Sequence, residues 1–276
     1  MEDIHDRVRT WLPRCRKGKM AEASTNEVRA SDGLRVKDFQ DLLVKLAHVS
    51  FFNRSLLMLF RGQDRDYPNS AGQSTLLPEI LRPTGELTKA ELISRFGELL
   101  KTESKLRNAR FLGFRAVRED QALLWALLQH YKICPTPLLD ATHSLRVACT
   151  FSKKGDEKSD TLLYVLGIPH LAGAITTLEN EGLQAIRLLS ACPPRARRPH
   201  FQEGYLLGTH PTMNLEATEN YYEDAWDFGR RLVCKLVLPP ASQFWSQRYQ
   251  PLPQDAILPP DDPFEKQAKQ VRDAIA

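Results

Sequence analysis

The side chains that could do chemistry in this 276-residue chain gather in three short stretches. In Phe60-Arg61-Gly62-Gln63 an apolar run delivers an arginine at its end, followed by a glycine that lets another group approach the backbone closely. A planar guanidinium can grip phosphate through two parallel hydrogen bonds, so Arg61 reads as an anion clamp or, equally, as a surface arginine at a turn. The second stretch runs from Gln129-His130-Tyr131 through Pro135-Thr136-Pro137-Leu138-Leu139-Asp140 to Thr142-His143-Ser144. Polar groups beside apolar sequence must find partners or lose free energy, which makes this a hydrogen-bonded network. It can be structural, with His130 a satisfied core histidine and Asp140 a cap for a helix beginning after Thr142, or it can bind a ligand. The third stretch, Arg198-Pro199-His200-Phe201-Gln202-Glu203-Gly204-Tyr205, is a basic turn feeding a strand. With Arg195 and Arg197 it reads either as a phosphate patch or as a solvated loop.

Other chemistries find less support. Ser144, His130 or His143, and Asp140 could be written as a hydrolytic triad, but they crowd into one segment and no Gly-x-Ser-x-Gly elbow is present. The seven histidines show no His-Glu-x-x-His or His-x-His spacing, so no metal site is expected. Cys15, Cys134, Cys149, Cys192 and Cys234 are odd in number and include no Cys-x-x-Cys pair, which reads as reduced, mostly buried thiols.

The elements that must carry these stretches are legible from periodicity. Val36, Phe39, Leu42, Leu43 and Leu46 fall at helical spacing, and residues 55–60 form a short apolar run, as a buried strand would. Residues 87–102 carry Thr88 three places before Glu91, a capping-box pattern, ahead of Leu92, Ile93, Phe96, Leu99 and Leu100. Residues 118–133 are apolar on nearly every side of a helical wheel and predict a central buried helix ending at Cys134-Pro135. Residues 161–168 and 231–239 read as strands, and 184–190 and 203–210 as weaker ones. The proline-rich tail, 239–263, is expected to wrap the surface before a polar helix from about Phe264. Early helices and late strands predict an α+β fold: one large domain, 36–276, with a late, mainly antiparallel sheet. Residues 1–35 hold a basic amphipathic piece (Ile4, Val8, Trp11, Leu12), with a partner-docking helix or a frayed terminus as its two readings, and then a small, polar linker.

Composition bounds the partners. With 42% hydrophobic and 26% charged residues the chain can close a core, which excludes disorder and collagen-like fibres. A net charge of +4 permits nucleic acid or an anionic cofactor without arguing for either. No apolar run of about 18 residues and no secretory leader is evident, so the expectation is a cytoplasmic protein with no membrane partner.

Taken in order, the three stretches resemble the FRG domain, a bacterial and phage-associated family named for its Phe-Arg-Gly motif, here Phe60-Arg61-Gly62 followed by Gln63. The family's middle motif, Gln-His-Tyr/His-Gly-x-Pro-Thr-x-Leu-Leu-Asp-x-Thr, is similar to Gln129 through Thr142, and its Arg-x-x-x-Gln-x-Gly-aromatic motif to Arg198, Gln202, Gly204 and Tyr205. The chain departs from the pattern at Lys132, where glycine is common, and at Pro137 and Ala141, with one extra residue before Pro135. The order of motifs also resembles that of arginine-type ADP-ribosyltransferases, which implies a fold of that kind and NAD as substrate. On that resemblance Arg61, with Gly62 and Gln63, would hold the NAD phosphates, and Gln129, His130 and Thr136, Thr142 or Ser144 would shape the pocket. Gln202 or Glu203 would face the nicotinamide ribose, with Asp140 as the substitute acid. A carboxylate there stabilises the oxocarbenium character that develops as the nicotinamide bond breaks. The implied function is ADP-ribosylation of a macromolecule (RNA, DNA or protein) by a toxin or antiphage effector. The alternative is a non-catalytic nucleotide- or nucleic-acid-binding module of a defence or toxin-antitoxin system, and an antitoxin or chaperone is a further expected partner.

Overall fold

The computed structural model describes the chain apart from residues 5–6, 16–18, 83–87, 109–118, 155–156, 211–222 and 276. Leu87 and Arg118, the first residues of two expected helices, lie outside the described residues.

An eight-stranded sheet carries the fold. Its strands are β3 (Leu34–Arg35), β4 (Leu56–Gln63), β5 (Leu139–Thr142), β6 (Thr161–Pro169), β7 (Ile175–Leu178), β8 (Leu183–Arg187), β9 (Gly204–Thr209) and β10 (Leu232–Leu238), in the spatial order β3-β10-β6-β4-β5-β9-β8-β7. Every pairing is antiparallel except the short β3–β10 edge, so the fold is α+β with a mainly antiparallel sheet. Adherence between neighbours is uneven. Strand β4 pairs with β6 from Leu56 through Gln63, but with β5 only at Phe60 opposite Thr142. The sheet is therefore almost two sheets, hinged at the first residue of the Phe-Arg-Gly motif.

The helices follow from the pattern of apolar residues and caps. Those of five or more residues among the described residues are α1 (Thr25–Arg29), α2 (Phe39–Phe52), α3 (Lys89–Asn108), α4 (Gln121–His130), α5 (Leu145–Lys153), α6 (Arg197–Phe201) and α7 (Pro263–Ile275). Asp38 caps α2 by accepting from the Asp41 amide, Asp120 caps α4 through Leu123, and Thr88 accepts from the Glu91 amide ahead of α3. Each such cap contributes about 1 kcal/mol. Buried Leu123 through His130 fill α4, as its all-round apolarity predicts. In α3 the buried stripe is Leu92, Phe96, Leu99 and Leu106, while Ile93 and Leu100 stay half exposed.

Two cores share the sheet. One surrounds β4, β6 and β10; the other lies beneath α3, α4 and α7. Alternation along the strands divides the residues between them: Ala185 and Leu207 face the first, Ile186 and Leu206 the second.

The described part of residues 1–35 is built into the domain and is not an arm. Val8–Thr10 and Ala21–Ala23 form an antiparallel hairpin, β1–β2, rather than an amphipathic helix, and Val8, Trp11, Leu12, Ala23 and Val28 enter the first core. Asn53 at the end of α2 clamps the Arg9 backbone through both amide atoms, and the Trp11 indole donates to the Lys45 carbonyl at 3.1 Å. Arg29, a polar residue of the supposed linker, pairs with Asp227 inside the protein, and Asp227 also accepts from the Leu76 and Gly229 amides. Arginine and its carboxylate are buried in each other's company, which local composition cannot reveal. The tail wraps the domain as expected, with Phe39 of α2 gathering Phe244, Trp245 and Tyr249.

Candidate functional site

Where β4 and β5 part, a cleft of about 380 Å³ opens, within the size range of small-molecule sites. Its walls include Phe60, Arg61 and Gly62 from β4, Asp140 and Thr142 from β5, Gln129 and His130 at the end of α4, Gln202 after α6, and Gly204 of β9. All three sequence stretches therefore meet at one place.

Glycine at position 62 serves the fold. A Cβ there would stand 2.1 Å from the Ala148 carbonyl oxygen and 2.8 Å from the Ser152 Cβ, so it is helix α5 that approaches the backbone of β4, where a ligand was expected to. Gly204 plays a similar part: its Cβ would lie 3.2 Å from Cε1 of His130, so the glycine seats the imidazole.

Arg61 donates from Nη1 to the Asp140 carbonyl at 2.6 Å, bridging the gap where the strands separate, and its buried Nε has no protein partner. Burial, with help from the charge of Arg82, pushes its guanidinium down to about 10, still charged at neutral pH. Asp140 is a strand residue and not a helix cap; Ser144 occupies the cap position of α5. The Asp140 side chain keeps 39% of its surface exposed. Burial alone would raise its pKa, but the contact with His130, the charge of Arg61 and the Gln129 amide together hold it below the usual carboxylate value.

A relay fixes that carboxylate. The Thr136 backbone N–H and hydroxyl both donate to Gln129 Oε1 at 3.0 Å, which leaves Gln129 Nε2 to donate to Asp140 Oδ2 at 3.0 Å and to Glu79 Oε2 at 3.3 Å. The other carboxylate oxygen lies 3.7 Å from His130 Nδ1, and His130 Nε2 is buried without a partner. Tyr131 turns away and donates to Asp262 at the start of α7.

Charge around the cleft is predominantly positive. Arg61, Arg82, Lys132, Lys154 and Arg198 line it against two acids, Glu79 and Asp140. Arg198 donates to Glu265 and to the His130 carbonyl. Burial, and then the charges of Lys132 and Arg198, hold Lys154 below the ordinary lysine value. Lys132 has φ +51°, in the left-handed region, directly after α4: Ile133 N–H donates to the Leu128 carbonyl and Lys132 N–H to that of Gln129, a Schellman ending. This is the position where the FRG pattern has glycine, and a lysine there carries strain of about 1 kcal/mol or more.

Not every expected residue contributes a free group. Thr142 donates to the Gln202 carbonyl at 2.6 Å and accepts from the Ser144 amide, and Gln202 Nε2 donates to the Ile257 carbonyl at 2.6 Å. Both line the cleft while bracing it, and Gln202 ties down the tail segment that brings Leu258 into the wall. Thr136 is fully buried behind Gln129. Gln63, Ser144 and Glu203 are not among the cleft-lining residues; Glu203 is exposed, at φ +46°, and its carbonyl accepts from the His143 amide. Of the arginines around the basic turn Arg198 lines the cleft, whereas Arg197 pairs with Asp261. Sequence reasoning passed over Glu79, Arg82, Phe151, Lys154 and Leu258, which reach the cleft from three segments with no motif around them.

The fold and site define an α+β domain with a cationic cleft built at a split in its sheet. Residues 57–161 match the family model of the FRG domain. The matched segment holds Arg61, Gly62 and the whole relay from Gln129 to Asp140, and stops before Arg198–Tyr205. No curated protein and no solved structure gives a significant match. No helix among the described residues is long and apolar enough to cross a membrane.

Proposed function

We propose that the cleft binds NAD and transfers its ADP-ribose to a macromolecular acceptor, protein or nucleic acid, as a toxin or antiphage effector would. The observation that carries this reading is the pairing, on one wall, of a half-buried arginine whose buried Nε has no partner and a carboxylate kept ionised between His130 and Gln129. Arg61, supported by Lys132, Lys154 and Arg198, supplies positive charge for a pyrophosphate. The acid assigned to the ribose is Asp140, because Glu203 lies outside the cleft lining and the Gln202 amide is engaged with Ile257. At an effective dielectric constant of about 20, a carboxylate about 4 Å from a developing oxocarbenium ion stabilises it by about 4 kcal/mol, roughly a thousandfold in rate. Purified protein incubated with NAD labelled in its adenylate half, plus cell extract, should release nicotinamide and label a macromolecule. Arg61→Ala should abolish both, and an absence of turnover across protein, RNA and DNA acceptors refutes the reading.

One observation favours a second reading, a nucleotide-binding module without turnover. The hydroxyl of Thr142 and Nε2 of Gln202, two of the polar groups that the transferase resemblance assigns to the pocket, are both engaged in internal hydrogen bonds. On that reading NAD or another nucleotide binds, weakens as salt rises, and is recovered intact.

A further inference from the structure

We propose that His130 is the proton acceptor of the transfer step, held in its working tautomer by Asp140, Gln129 and Thr136. The inference deepens the transferase reading and rests on it for the reaction, although not for the arrangement of the imidazole.

The relay has one direction. Both protons available at Thr136, on N and on Oγ1, point to Gln129 Oε1, so the Gln129 amide is oriented with Nε2 toward the acids. Nε2 donates to Oδ2 of Asp140, and the Arg61 charge beside that carboxylate helps to keep it ionised. An ionised carboxylate only accepts, so the ring nitrogen facing it, Nδ1 of His130 at 3.7 Å, carries the proton. At 3.7 Å the contact is longer than a hydrogen bond but within ion-pair distance of a protonated ring. The Nε2 lone pair is then left free. His130 is 8% exposed and lines the cleft, while its Nε2 touches no protein donor and is sealed from bulk water. Gly204 and Tyr131 pack the ring and fix its plane. A buried, basic nitrogen without a partner, on a residue that lines a ligand-sized cleft, has its use in a proton delivered by the ligand.

The transfer produces that proton. The bond between C1′ of the ribose and the nicotinamide nitrogen breaks, and its electron pair leaves with nicotinamide, which becomes neutral. An acceptor hydroxyl forms the new O–C1′ bond with a lone pair and releases its proton to Nε2. The resulting imidazolium faces the ionised Asp140 and keeps the proton until the products leave. Atoms and charge balance with no further reactant.

The test separates the arrangement from the reaction. In wild-type protein labelled with 15N-histidine, His130 should show the Nδ1-protonated tautomer at neutral pH, and Asp140→Asn should shift it toward the Nε2-protonated form. An Nε2-protonated wild type overturns the inference whatever the activity. With NAD as the probe and water as the acceptor, His130→Gln should lower kcat at least 100-fold, within the range for loss of a positioned base. NAD affinity should stay within threefold, and His130→Gly should regain turnover with added imidazole. Unchanged kcat in a folded His130→Gln variant also overturns it. A wild type with the expected tautomer but no turnover of NAD, with water or with cell extract, instead refutes the transferase reading and the step assigned to His130 together.

Discussion

Replacing Gly62 by alanine separates two reasons for a glycine in the Phe-Arg-Gly motif. The added Cβ would meet the Ala148 carbonyl oxygen at 2.1 Å and the Ser152 backbone nitrogen at 2.9 Å. Neither atom belongs to a flexible side chain, so relief requires α5 to retreat from β4 by roughly 1 Å, opening the contacts of Val147, Ala148 and Cys149, all buried. Overpacking of this kind costs about 1–3 kcal/mol, and because backbone must move the expected value is at the upper end, about 3 kcal/mol. That is a change of roughly 100-fold in the ratio of folded to unfolded molecules, a large share of a stability of about 5–15 kcal/mol. Urea denaturation followed by circular dichroism measures it. Gly97→Ala in α3, where a Cβ meets nothing within 4 Å, is the control and should gain about 0.5–1 kcal/mol. A Gly62→Ala protein within about 0.5 kcal/mol of wild type would refute the packing argument. Normal stability with lost nucleotide binding would restore ligand approach as the reason for the glycine.

Further outcomes are expected. Lys132→Gly should raise stability by about 1 kcal/mol, since glycine adopts positive φ without strain, and should weaken nucleotide binding severalfold at low salt by removing one cation from the cleft; thermal denaturation and a binding titration read the two effects. Because the folded-state pKa of Asp140 lies below the ordinary value, its ionisation contributes stability that is present above about pH 4 and is lost as the pH falls through the lowered folded value. Asp140→Asn should flatten that part of the stability–pH curve, as acid titrations of the two proteins would show. Deleting residues 1–35 should yield aggregated or unfolded protein on expression, since it strips Val8, Trp11, Leu12 and Val28 from the core and leaves buried Asp227 without its arginine. A monomeric, cooperatively folding truncation would contradict the packing of that segment.

The chemistry-bearing stretches and the regular elements were legible because each has a local cause. Thr88 before Glu91, the all-round apolarity of α4, and the apolar run entering Arg61-Gly62 act through neighbours in sequence. Periodicity and capping report such neighbours directly. The Gln129–Asp140 network was expected as a network for the same reason, since polar groups in apolar sequence must be satisfied somewhere.

What sequence could not determine depends on partners far along the chain. Arg29 looks like a linker residue until Asp227 is brought beside it. The Gln202 amide looks available for a ribose until the tail lays the Ile257 carbonyl against it. Gly62 invites a ligand until α5 occupies the space. By itself the sequence determined which residues can bind anions and move protons, and which elements carry them, because residue type and periodicity are local properties. Tertiary structure decided which of those groups remain unpaired: β4 and β5 meet at one residue and then part, and long-range hydrogen bonds engage Gln202 Nε2 while leaving Arg61 Nε and His130 Nε2 without partners and the Asp140 carboxylate partly exposed.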